Sequence, residues 1–255
     1  MSTEELIVQI LVVNLLRYLV AAGLAYALFY VIFRKRWAHW KIQSKFPKPR
    51  EYSREITYSL LTISIFVSIG FLIVGTQVKQ HTLIYEDISA RGWTYWGVSI
   101  FLMILLHDTY FYWMHRLMHL PKIYKKVHLV HHQSMNPSPW AAYSFHPIEA
   151  VVEASVIFPI VFLIPVHQSA LMTFLLFMIF YNVYGHLGYE LYPKGFNKTF
   201  IGKWINTSVN HNQHHKHFYG NYGLYFLFWD RLLGTLRADY DQAYLNNDEK
   251  KNSKK

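Results

Sequence analysis

The sequence contains no cysteine, which excludes disulfides, thiolate zinc sites, iron–sulfur clusters and CxxCH haem attachment. Any metal must be held by histidine with carboxylate, amide or water. Charge is scarce too: charged residues make up 16% of 255 positions, too few to clothe a soluble globule of that size. HExxH, the helical signature of zincin proteases, does not occur. Neither do the Glu-x-x-His pairs of carboxylate-bridged di-iron bundles nor a GxGxxG dinucleotide fingerprint.

What is abundant is apolar: 53% hydrophobic and 18% aromatic residues, arranged in long runs that indicate a membrane protein. The net charge of +10 is carried beside those runs, where it suits anionic headgroups and topology control. No nucleic-acid-binding signature accompanies it, and no nucleic-acid partner is expected.

Ser2 and Glu5 form a capping-box pattern ahead of an apolar run from Leu6 to Phe33. Arg17 interrupts this run at a cost of roughly 2.5–3.5 kcal/mol on insertion scales, which the surrounding Leu, Ile and Val offset. A basic loop from Arg34 to Glu55 leads to a second span, Ile56 to about Val78. A charge-balanced stretch, Lys79 to Gly92, precedes a third, from near Trp93 to His119, where Leu120-Pro121 should break it. Pro147 to Ile164 and Ser169 to His186 flank a very short tip at Pro165–Gln168 and so form an antiparallel hairpin. The positive-inside rule places the Arg34–Glu55 loop in the cytoplasm; the third span and the hairpin then return to that side.

Histidine dominates the polar inventory. His115 and His119 are spaced i, i+4; His128, His131 and His132 are spaced i, i+3, i+4, as are His211, His214 and His215. On a helix these offsets share a face, and three such clusters together indicate a metal site for more than one ion. Imidazole suits iron, zinc, copper and nickel alike, and eight histidines exceed the usual needs of a mononuclear zinc site. Asp108 lies seven and eleven residues before His115 and His119, near the same helical face, and is expected to hydrogen-bond a ligand imidazole.

HRLMH, HLVHH and HNQHH, with their spacing, resemble the fatty acid hydroxylase/sterol desaturase superfamily of membrane histidine-box oxygenases. Their neighbours extend the resemblance over roughly residues 93–236: Asp108 with Tyr112, Phe145-His146-Pro147-Ile148-Glu149, Gly185-His186, Asn221-Tyr222-Gly223, Trp229-Asp230 and Gly234-Thr235. The gap between the first two boxes is too short for the acyl-CoA desaturases.

The resemblance implies a non-haem centre of two iron ions, in a donor set that zinc also accepts, using O2 to hydroxylate or desaturate a lipid C–H bond, hydroxylation being favoured. It implies His186 as a ninth ligand beside the eight clustered histidines. His146 is read as a ligand, a partner of one, or a helix-start polar group. Electrons would come from a separate donor, a cytochrome b5 or ferredoxin with its reductase. A membrane zinc hydrolase uses similar ligands. A metal transporter would be expected to carry them near the membrane midplane.

The expected architecture is an all-α integral membrane bundle of about four to five membrane helices, two as a hairpin, with a cytoplasmic, histidine-rich helical cap. Residues 1–92 form the N-terminal membrane helices and basic loop, 93–236 the histidine-box domain, and 237–255 a polar, solvated tail.

Overall fold

The computed structural model describes residues 2–252. Helix α1 (Thr3–Tyr26) opens with the expected capping box: Glu5 N donates to Ser2 Oγ at 3.1 Å and Ser2 N to Glu5 Oε2 at 2.7 Å. A π-helical turn, Ala27–Ile32, extends it. Helix α2 (Pro49–Val74) begins with proline, whose missing N–H costs nothing in a first turn. Helix α3 (Gly92–Met118) ends at the proline break and is followed by two short helices, α4 (Pro121–Val127) and α5 (Leu129–His132).

The first limb of the expected hairpin is not one helix. It divides into α6 (Pro147–Ala154) and α7 (Ile157–Leu163). Pro159 supplies no N–H to the preceding turn, and Ser155 Oγ turns back onto the Val151 carbonyl at 2.7 Å. The second limb, α8 (Gln168–His186), is continuous. Beyond it lie α9 (Ser208–His217), α10 (Phe228–Leu232) and α11 (Tyr240–Asn252).

Among the described residues, four helices are long and apolar enough to cross a membrane: Thr3–Ile32, Pro49–Val74, Gly92–Met118 and Gln168–His186. Their surfaces invert the pattern of a soluble protein. Val8, Leu16, Leu24, Leu60, Phe101 and Phe180 face outward, while Asn14, Glu55, His107 and Asp108 are buried. The 27 residues of α3 rise about 40 Å, more than the roughly 30 Å of a hydrocarbon core, so one end of α3 projects.

Two short strands mark one end of the bundle. β1 (Ile84–Tyr85), in the loop between α2 and α3, pairs in parallel with β2 (Val166–His167), at the tip between α7 and α8. Helices α3 and α8 both start there and run to the opposite end, where they deliver His115 and His186. The basic loop after α1 also lies at that opposite end: Gln43 Nε2 donates to Met135 O at 2.8 Å and to Asn212 Oδ1 at 3.0 Å.

Residues 237–252 depart from the solvated tail expected of 237–255, whose last three residues lie outside the described ones. Tyr240, Tyr244 and Asp248 recur every fourth residue, line one face of α11 and are buried. The two tyrosines pack with Val209 and Leu227, Tyr244 Oη donates to Pro193 O at 3.0 Å, and Asp248 Oδ2 accepts from Gly195 N at 2.9 Å. An i, i+4 pair of tyrosines inside a polar stretch was the signal for this packing.

Candidate metal centre

Nine of the ten histidines named from the sequence, all but His146, gather at the end of the bundle away from β1 and β2, in two groups. His115, His119, His128, His132 and His214 form one; His131, His186, His211 and His215 form the other. Within each group the ligand atoms lie within 4.8 Å of one another. The second and third boxes each divide, and the first does not. The i, i+4 pairs 115/119, 128/132 and 211/215 stay together, while His131 and His214 cross to the opposite group. Adjacent helical residues diverge by about 100°, so His131–His132 and His214–His215 straddle the two groups instead of sharing one face.

The ring nitrogens facing inward are identified by what holds the outward ones. His115 Nδ1 lies 2.9 Å from Tyr222 O, His214 Nδ1 2.7 Å from Gly220 O, His186 Nδ1 2.8 Å from Asn182 O and His131 Nδ1 3.3 Å from Ser144 O. A carbonyl oxygen only accepts, so each Nδ1 carries the hydrogen and each Nε2 presents its lone pair. The fifth holding group is a carboxylate: His128 Nδ1 meets Glu149 Oε1 at 2.7 Å, both side chains being buried.

The Nε2 atoms converge. His132 Nε2 is 3.1 Å from both His119 and His128 Nε2, and His211, His215 and His186 Nε2 lie 3.1 Å from one another. Neutral imidazoles cannot all satisfy one another at such distances. Donors bound at about 2.0–2.1 Å to one ion are naturally about 3 Å apart, so the residues fit a pair of metal ions. Burial favours the neutral, ligand-competent form: His119 is pushed down to about 2, and His128, His131, His132, His211, His214 and His215 well below the ordinary histidine value.

Asp108 has a different partner from the expected one. Its Oδ1 accepts from Tyr225 N at 2.7 Å and Phe226 N at 3.1 Å, anchoring the strand-like segment just after Tyr222 instead of touching an imidazole. His146 lies outside both groups and caps α6, its Nδ1 accepting from Ile148 N at 3.3 Å. His107 Nδ1 pairs with Tyr225 Oη at 2.9 Å.

The sequence marked Glu149 and Tyr222 only as parts of the resemblance and gave neither a partner, and it did not mark Gly220 at all; the structure ties all three to the histidines. Asp230 organises the turn carrying Gly220 and Tyr222: its carboxylate accepts from Tyr222 N at 2.9 Å, Gly223 N at 2.8 Å and Thr235 Oγ1 at 2.7 Å. A Cβ on Gly223 would stand 2.2 Å from Phe226 O, so only glycine fits.

Comparison with known proteins agrees with this geometry. The fatty acid hydroxylase family matches residues 100–235. A Delta(7)-sterol 5(6)-desaturase of Gibberella zeae is 31% identical, covering 87% of this chain and 65% of its own length. Another, of Aspergillus fumigatus, is 29% identical over 74% of the chain and 64% of its own length. Lathosterol oxidase of Mus musculus is 31% identical, over 73% and 62%. The chain thus spans a little under two thirds of these relatives. No solved structure matches it.

Proposed function

Since the chain belongs to the fatty acid hydroxylase family, we propose that it is a membrane-bound, O2-dependent oxidoreductase acting on a lipid C–H bond with a di-iron centre. The observation that carries this reading is the convergence of nine imidazoles into two groups at one end of a membrane bundle. His115, His119, His128, His132 and His214 would hold one ion, and His131, His186, His211 and His215 the other. Iron there supplies the activation of dioxygen that an unactivated C–H bond requires.

The chain's own residues orient and insulate that centre. Carbonyls of Tyr222, Gly220, Asn182 and Ser144 keep four imidazoles in one tautomer, and the Glu149 carboxylate holds the fifth. The sequence resemblance favours hydroxylation; the names of the relatives support removal of hydrogen from a sterol-like lipid, and desaturation is the reaction put forward. Electrons come from a separate donor, a cytochrome b5 or a ferredoxin with its reductase. The centre faces the cytoplasm, a placement supported by the basic 34–55 loop packed at its end of the bundle.

The test is metal analysis of anaerobically purified protein, followed by exposure to O2, reductant and sterol. Two irons per chain and an O2-dependent product lacking two hydrogens are expected. One zinc per chain with O2-independent hydrolysis overturns the reading.

A further inference from the structure

Large apolar side chains are exposed outside the four long helices as well. Phe200, Ile201 and Trp204 lie in the connection between α8 and α9, and Phe228, Leu232 and Leu233 in α10 and at its end; all six are open at the surface, Phe200 by 82% and Ile201 by 66%. The two segments form one unit. Leu227 N donates to Trp204 O at 2.8 Å, Ile205 and Phe226 make an antiparallel bridge, and Arg231 Nε donates to Lys203 O at 2.7 Å. The Trp204 and Phe228 rings lie 6.5 Å apart. A patch of this kind is not a surface that water tolerates well.

Its depth can be read from the helices on which it hangs. Trp229 donates from Nε1 to Thr109 Oγ1 at 3.2 Å and stacks on Tyr112 at 6.0 Å. Thr109 stands about 26 Å along α3 from Gly92. On the other side, Tyr181 Oη donates to Asn206 O at 2.7 Å. Trp96 Nε1 donates to Ser169 Oγ at 2.9 Å, which sets α8 level with α3 and puts Tyr181 about 24 Å from the same end. Exposed Lys79, Glu86 and Arg91 mark the polar boundary there. A hydrocarbon core of roughly 30 Å measured from that boundary reaches past both contacts.

Charge completes the pattern. Lys194, Lys198, Lys203 and Arg231 rim the patch; Lys203 Nζ lies 5.4 Å from the Phe200 ring and 5.5 Å from Trp204, and the Arg231 guanidinium 5.8 Å from Trp204. None of the four has an ion pair with a carboxylate among the described residues. Asp230, the single acidic residue of the two segments, is buried and turned toward Tyr222 and Gly223. Aromatic rings below and lysine and arginine heads above are the composition of a membrane–water boundary.

We propose that residues 200–204 and 228–233 form a wedge sunk, without crossing, into the leaflet on the histidine side, with the six apolar side chains among acyl chains and the four basic residues on the phosphates of anionic lipids. A soluble partner would have to enter the apolar slab that α3 and α8 define, so lipid is the occupant. The wedge also bears on the histidines. Asn206 Nδ2 donates to Gly223 O at 2.8 Å, next to the Tyr222 whose carbonyl orients His115.

The experiment uses the full chain in nanodiscs of phosphatidylcholine and phosphatidylserine. Single cysteines replace Ile201 and Leu232, with Phe101 as reference for the apolar core and Lys125 as reference for water, both exposed. Each carries a nitroxide, and relaxation by O2 is compared with relaxation by a water-soluble nickel chelate. Positions 201 and 232 should follow 101, reached by O2 and shielded from nickel. If they follow 125, the wedge is in water and the proposal fails. Shielding from both reagents means that protein, a second copy or a partner, covers the patch, and overturns it equally. A second measurement places a fluorophore at 201 and compares quenching by brominated phosphatidylserine and brominated phosphatidylcholine at equal mole fractions. Phosphatidylserine should be enriched about fivefold, the value of one lysine at an anionic surface, and Lys198→Gln combined with Lys203→Gln should abolish the enrichment. Equal quenching by the two lipids in the unaltered protein overturns the role given to the basic residues.

Discussion

His128 and Glu149, 21 residues apart in the chain, meet through a 2.7 Å contact between imidazole Nδ1 and carboxylate Oε1 with both side chains buried. It is the single place where a carboxylate, not a carbonyl, is hydrogen-bonded to one of the nine histidines among the described residues. A carboxylate makes the ring a stronger electron donor and fixes its rotation. Glu149→Ala should therefore reduce metal occupancy or activity by about 10–100-fold, measured as metal per chain and turnover. His146→Ala, three residues earlier and outside both groups, should leave metal occupancy within a factor of about two. Equal losses in the two variants would show that the segment as a whole, not the carboxylate, matters.

His131→Ala, His132→Ala and His215→Ala should each abolish turnover while membrane insertion persists. Insertion is driven by the four apolar helices, to which none of these residues belongs. Membrane fractionation and turnover measured on the same preparations give the result; a fully active variant removes that histidine from the metal centre.

Acid should destabilise the metal-free chain. Burial holds His119 at about 2 and depresses the six other histidines outside the long helices. Below a pH of about 6.5 the unfolded chain takes up protons that the folded chain refuses. The stabilisation from neutral burial is thus complete above about 6.5 and is lost as pH falls, by up to about 1.4 kcal/mol per pH unit per histidine. Thermal melting of the chelated protein at pH 7.5 and 5.5 should show a lower midpoint at 5.5. A midpoint independent of pH contradicts the burial of these rings.

The two ends of the bundle should lie on opposite sides of the membrane. Cysteines placed singly at Glu86, Lys125 and Asn246, all exposed, can be probed with an impermeant thiol reagent on intact cells, because the chain has no cysteine of its own. Labelling at 86 alone is expected. Asn247 is buried and would be a misleading probe. Labelling at 125 with protection at 246 would put a membrane between the second box and α11, which packs on the third-box helix α9.

The histidines were legible because ligand spacing is a local property: offsets of three and four survive in the sequence whatever the tertiary fold. Their division into two groups was not, since it depends on how α3, α5, α8 and α9 cross. The backbone carbonyls of Tyr222 and Gly220 leave no side-chain signature, and Asp108 was assigned to an imidazole because helical phase cannot say which neighbouring segment arrives first. The membrane helices were read from length and apolar content; the break at Ser155–Val156 lay inside a run whose hydropathy alone looks continuous. In α11 the polar residues masked Tyr240 and Tyr244, which carry the packing.

The turn built on Asp230 moors two histidines from distant parts of the chain, His115 through Tyr222 O and His214 through Gly220 O. Both belong to the same group. The other group is tied elsewhere, to Ser144 and Asn182. The two groups thus share α5 and α9, whose adjacent histidines divide between them, while the outward nitrogens of each group are tied to different segments. A change in the 220–235 turn therefore acts first on the carbonyls that orient His115 and His214, leaving the ties of His131 and His186 in place.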